Sequence, residues 1–68
     1  MTFAEKLLEV RGKLYLTQKQ LAAELGISFT TVNRWERGHN EPTFLARRRF
    51  EDYCKEKGIS FNSIEGEG

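Results

Sequence analysis

The chain has 68 residues, enough for one domain near the lower size at which a core holds itself together without metals or disulfides. A single Cys and a single His rule out an internal disulfide and supply too few soft ligands for a structural zinc, and both fit a reducing, cytoplasmic setting. The net charge of +1 is no signature of nucleic-acid binding, but the balance is uneven: without Glu65 and Glu67 in the Gly-rich end, 11 basic residues face 8 acidic ones.

No apolar run reaches membrane-spanning length, and residues 1–10 are amphipathic rather than a signal core. Thr2-Phe3-Ala4-Glu5 has the Thr-x-x-Glu pattern of a capping box, and Phe3, Leu7, Val10 and Leu14 recur at helical spacing. This predicts helix 1 over about 2–11 with Gly12 as its stop. Residues 13–16 form a connector whose Leu14 and Leu16 pack inward. Thr17-Gln18-Lys19-Gln20 repeats the capping box, Leu21, Ala22 and Leu25 form the apolar stripe of helix 2, and Gly26 ends it. Ser28 caps helix 3, which runs to about Arg37 before Gly38. Asn40-Glu41-Pro42-Thr43 is turn chemistry, with Thr43 as the cap of helix 4. Helix 4 carries Ala46, Phe50, Tyr53 and Cys54 on one side and stops at Lys57-Gly58. Residues 59–64 hold three apolar side chains without helical period, and the Glu and Gly of 65–68 are expected to fray or to begin a linker. No segment alternates at period two and no repeat is present, so the fold class is all-α. The expected organisation is a domain over 1–58 and a C-terminal extension over 59–68.

Helix 3 carries the functional signal. On a wheel of about 100° per residue, Phe29, Thr30, Asn33, Arg34 and Arg37 fall within roughly 140° of one another. Val32 and Trp35 lie on the opposite side, at roughly 300° and 240°. The helix therefore buries Val32 and Trp35 and turns a polar face outward. That face has the chemistry base edges require: Arg donates twice to guanine, Asn pairs with adenine, and Thr or an aromatic touches the thymine methyl. For Phe29 two readings stand, a thymine contact or packing back onto helix 2. Trp35 reads as core rather than as a base-stacking platform, and Cys54 as a small buried apolar side chain.

The segment from Gln18 to Arg37 closely resembles the helix-turn-helix of phage repressor and Cro-type proteins, the xenobiotic-response-element family of bacterial DNA-binding domains. The resemblance rests on Gln18 opening helix 2, Ala22 at the helix crossing, Gly26 at the turn and Ile27 after it. Val32 and Trp35 on the inner side of helix 3 and the closing Glu36-Arg37-Gly38 complete it, and the likeness extends from about Phe3 to Tyr53. It implies a compact bundle of four to five helices that places helix 3 in the major groove of double-stranded DNA. By the same resemblance Gln18 would meet a phosphate, Phe29, Thr30 and Arg34 would read base edges, and Asn33 and Arg37 would touch bases or backbone. Ser28, His39 and Thr43 join this DNA-contacting set, and Arg11 would pair with a partly buried Glu36 as scaffold.

The resemblance also implies a bacterial or phage transcriptional regulator, repressor-like, with no cofactor and no metal. Family members usually add a fifth helix used in dimer contact, whereas residues 59–68 are short and Gly-rich, so a homodimer on DNA is expected only as one possibility. A DNA-targeting module of a larger protein such as a methylase, or an antitoxin-like interaction module, are the alternatives. The loop 38–43 has no Lys or Arg with which to clamp phosphates, and Glu41 opposes that role. Arg47-Arg48-Arg49 point three ways from a helix, so at least two are expected on a solvated face paired with Glu51 or Asp52. With one His, one Cys and no Gly-rich phosphate loop, there is no nucleophile–base constellation and enzymatic function is not expected.

Overall fold

The computed structural model describes residues 2–61, which form four helices in chain order. These are α1 (Phe3–Leu14), α2 (Gln18–Leu25), α3 (Phe29–Glu36) and α4 (Phe44–Glu56), and no strand occurs among the described residues. The expectations for Ile64 and for 65–68 lie outside the described residues.

Each helix starts where a hydroxyl can take up a free backbone N–H. Thr2 and Thr17 close full capping boxes with Glu5 and Gln20, the N–H···O distances running from 2.9 to 3.1 Å. Ser28 accepts from the Thr31 N–H and Thr43 from the Ala46 N–H, both at 3.1 Å. Such caps contribute about 1 kcal/mol each, which matters for helices as short as the 8-residue α2 and α3.

One boundary differs from the sequence expectation. Helix 1 does not stop at Gly12 but continues to Leu14, and Tyr15 takes the left-handed position at φ 57°. Glycine in a helix interior costs only about 1 kcal/mol. Continuing the helix keeps Leu14 against the core, and the carbonyls of Arg11 and Gly12 are then met by the N–H groups of Leu16 and Tyr15.

The core lies where all four helices meet. Leu7, Val10, Leu21 and Val32 are fully enclosed, and Phe50 nearly so. Phe3 meets Trp35 edge-on at 5.3 Å and Phe50 at 5.1 Å, which ties the start of α1 to α3 and α4. Full burial of each aliphatic side chain is worth about 1.5–3 kcal/mol, so a few of them dominate the stability of so small a domain. α2 packs most closely on α3; the buried Ala22 is small enough to let the two axes approach, and Gly26, at φ 72°, makes the turn between them. After α4, Ile59 and Phe61 lie along the core, the Phe61 ring stacking on Phe50 at 6.3 Å.

Candidate nucleic-acid interface

The burial of Val32 and Trp35 fixes the rotation of α3, so its opposite side faces solvent. Thr30, Arg34 and Arg37 are exposed, Phe29 is half-exposed and Asn33 is partly buried at the edge. The same pattern decides Trp35: its ring packs on Phe3 and is unavailable for stacking on bases.

The arginines divide into two groups. Arg11, Arg47 and Arg48 each reach a carboxylate, whereas Arg34, Arg37 and Arg49 have none within ion-pair distance among the described residues, and of these three only Arg34 and Arg37 stand on the outer side of α3. Two guanidinium groups standing free on one face of a short helix keep all their donors for an outside acceptor.

Beneath this face runs a polar network. Arg11 grips Glu36 with two parallel bonds, Nε to Oε2 at 2.7 Å and Nη2 to Oε1 at 2.9 Å, and its Nη1 donates to the Leu16 carbonyl at 3.3 Å. Hydrogen bonding to Glu36 holds the Arg11 guanidinium above its ordinary pKa, against the opposing effect of burial. Glu36 Oε1 also accepts from Gln18 Nε2 at 2.8 Å, and Gln18 Oε1 accepts from Asn33 Nδ2 at 3.2 Å. The end of α1, the start of α2 and the outer edge of α3 are thus held in one frame. Asn33 retains its second amide hydrogen and its carbonyl oxygen, the pair that adenine recognition uses.

The helix-turn-helix family model matches residues 7–46, which runs from α1 through α3 into α4. The chain belongs to the helix-turn-helix family. It is similar to the HTH-type transcriptional regulator DicA of Escherichia coli (strain K12), with 44% identity over 43 residues, 63% of this chain and 32% of the relative. It is also similar to the HTH-type transcriptional activator BcrR of Enterococcus faecalis, with 45% identity over 42 residues, 62% of this chain and 21% of the relative. The chain therefore spans about a third or less of the length of these curated relatives. No solved structure matches it.

Within this helix-turn-helix, the residues singled out from sequence are distributed unevenly. Thr30, Arg34 and Arg37 stand in the open, and Ser28 and Thr43 are exposed but already serve as caps, Ser28 also bonding Thr31 Oγ1 at 2.8 Å. His39 is exposed just past α3, its backbone N–H closing that helix on the Arg34 carbonyl. Gln18 does more than the expected phosphate contact: it gives one amide hydrogen to Glu36 and its carbonyl oxygen accepts from Asn33, which leaves its second amide hydrogen as the donor for a phosphate. In the arginine run, Arg48 meets Asp52 at 3.8 Å, but Arg47 turns to Glu41 at 3.5 Å rather than to Glu51, and lies over the Phe3 ring. Arg49 extends toward the turn, its Nη1 being the nearest atom that a Cβ on Gly26 would meet.

Two exposed features had no part in the sequence reading. Phe44 and Leu45, each 76% exposed, stand side by side at the start of α4, adjacent rather than at the spacing of the core stripe. Tyr15 is 92% exposed at the left-handed end of α1. Only the interruption of an otherwise apolar run, Leu14-Tyr15-Leu16, hinted at the second. Among the described residues no group of His, Cys, Asp and Glu is arranged to hold a metal, and no helix is long and apolar enough to cross a membrane.

Proposed function

We propose that this domain binds double-stranded DNA with α3 in the major groove, as the sequence-reading part of a cytoplasmic transcriptional regulator. The observation that carries the reading is the outward face of α3, where Arg34 and Arg37 have no acidic partner among the described residues while a buried Val32 and Trp35 hold the helix at one rotation. Arg34, Thr30 and Phe29 are the base readers, Asn33 and Arg37 reach bases or backbone, and Ser28, His39, Thr43 and Gln18 lie along the phosphates. Regulation is favoured over methylase targeting or an antitoxin-like role because both relatives are named as transcriptional regulators. The role is one of recognition, with no catalytic step.

Selection of binding sites from random duplexes tests the reading. An enriched motif is expected, bound more weakly as salt rises. Arg34→Ala should lose discrimination at one base pair by about 1–3 kcal/mol if its contact to guanine is bidentate. Failure to enrich any motif, with amide spectra unchanged by duplex DNA at low salt, overturns it. Binding as two copies is a finer part of the same proposal, supported by the exposed Phe44 and Leu45, which a second copy would cover. Sedimentation of Leu45→Glu against the parent chain, with and without duplex, reports on that part alone.

A further inference from the structure

Three of the four helices end alike. Gly26, Gly38 and Gly58 adopt φ of 72°, 76° and 72°, and the next residue's N–H returns to a carbonyl five positions back: Ile27 to Ala22, His39 to Arg34, Ile59 to Cys54. α1 closes by the same pattern, Leu16 N–H to the Arg11 carbonyl at 2.9 Å, but the left-handed residue there is Tyr15. This conformation is unfavourable for an L side chain and neutral for glycine. Nothing among the described residues offsets the difference. Tyr15 is 92% exposed, and its side chain enters no hydrogen bond, aromatic pair or cation–π contact among the described residues.

Its position supplies the missing reason. The carbonyl of the next residue, Leu16, is held by Arg11, and Gln18, three residues on, joins Glu36 to Asn33 on α3. The Cα of Tyr15 therefore lies within about 11 Å of that of Gln18, at the mouth of α2, on a segment tied to the recognition helix. Lys19 beside it is exposed and without a carboxylate partner among the described residues, and the first turn of α2 holds no acidic side chain. We infer that Tyr15 is a contact to the sugar–phosphate backbone of the duplex that α3 reads, its phenolic O–H donating to a phosphate oxygen while its ring lies on the deoxyribose. The inference rests on the DNA-binding reading above and extends it: Tyr15 adds affinity and fixes register for every sequence alike, leaving base choice to α3. The strained backbone is the conformation that projects the ring clear of α1.

The test uses the full chain and compares stability with affinity for a short mixed-sequence duplex at low salt. Tyr15→Gly should raise the melting temperature by about 4 °C or more, since the left-handed strain is gone. The same variant should weaken duplex binding by about tenfold to a hundredfold, the worth of one hydrogen bond to a charged acceptor. Tyr15→Phe should leave the melting temperature unchanged and lose most of the same affinity. A role confined to helix capping moves stability without affinity. Parental affinity in both variants, with Arg34→Ala still weakened, overturns the inference and leaves the DNA-binding reading intact. Absence of duplex binding by the parent chain overturns both.

Discussion

Replacing Arg11 by methionine keeps the aliphatic stem and removes the guanidinium, so the measured effect is that of the charge and its donors. Three hydrogen bonds are lost: two to Glu36 at 2.7 and 2.9 Å and one to the Leu16 carbonyl at 3.3 Å. The Glu36 side chain is only 5% exposed, so its carboxylate is left with Gln18 as its one remaining partner in the network and almost no water. Stripping one member from a buried pair costs about 3–5 kcal/mol. Arg11 is itself 24% exposed, which places the loss toward the lower end, about 3 kcal/mol. A domain of this size has about 3–10 kcal/mol in total, so the variant should be close to unfolding at ordinary temperatures. In a melt followed by far-ultraviolet circular dichroism the midpoint should fall by about 12 °C or more. Urea unfolding should show a lower midpoint with unchanged slope. The companion variant Arg11→Met with Glu36→Met removes the stranded charge as well and should recover at least half of the loss, which isolates the coupling between the two residues. A single variant melting within about 4 °C of the parent, or a double variant no better than the single one, would refute the argument that Glu36 depends on Arg11.

Alkaline stability should be lost in two steps. Burial pushes the Cys54 thiol up to about 11 from 9.0, and burial, followed by the charge and hydrogen bond of Glu24, pushes the Tyr53 hydroxyl up to about 12 from 10.0. Both raised values favour the proton-bound folded state, so this stability is complete below pH 9 and disappears as pH passes 11 and then 12. Melting temperature measured against pH should show the decline, and Cys54→Ala should delete its lower step; a flat profile across that range would contradict the assignment. Cys54 should also resist thiol reagents at neutral pH until denaturant is added, because the reactive thiolate is disfavoured by burial. Gly26→Ala should cost about 1–2 kcal/mol through its backbone alone, since its new Cβ would meet nothing nearer than Arg49 Nη1 at 3.8 Å. A calorimetric loss well above that would point to a clash instead.

The helix starts and the buried side of α3 were legible because they depend on local chemistry. Thr-x-x-Glu and Thr-x-x-Gln satisfy backbone donors within one turn, whatever the rest of the chain does. Likewise a period of 3.6 residues places Val32 and Trp35 together before any partner is known. The end of α1 was not legible in this way. Gly12 stops a helix only if no later residue adopts the left-handed conformation, and Tyr15 is a residue type for which that conformation is seldom expected. What carries the helix past Gly12 is the packing of Leu14 against the core; its place in the spacing of Phe3, Leu7 and Val10 was visible, but not that this contact would outweigh a glycine in the helix interior.

Partnership is the other thing that periodicity leaves open. The resemblance places Gln18 at the start of α2 facing a phosphate, but an amide serves a phosphate and a carboxylate equally well. Only the approach of Glu36 to within 2.8 Å and of Asn33 to within 3.2 Å shows that Gln18 links the buried ion pair to the reading edge. The same reasoning explains why a net charge of +1 concealed a basic face. Charge counts treat every arginine alike, yet Arg11, Arg47 and Arg48 are neutralised by carboxylates 2.7 to 3.8 Å away. Among the described residues Arg34, Arg37 and Arg49 are not, and the first two stand together on the outer side and at the end of α3, where no described acidic residue is exposed beside them on the helix. A duplex approaching the domain meets the field of the unpaired cations, because paired charges cancel at distances beyond their own separation. The electrostatic preference of the surface is therefore set by which acids fold against which bases, and composition alone does not carry that information.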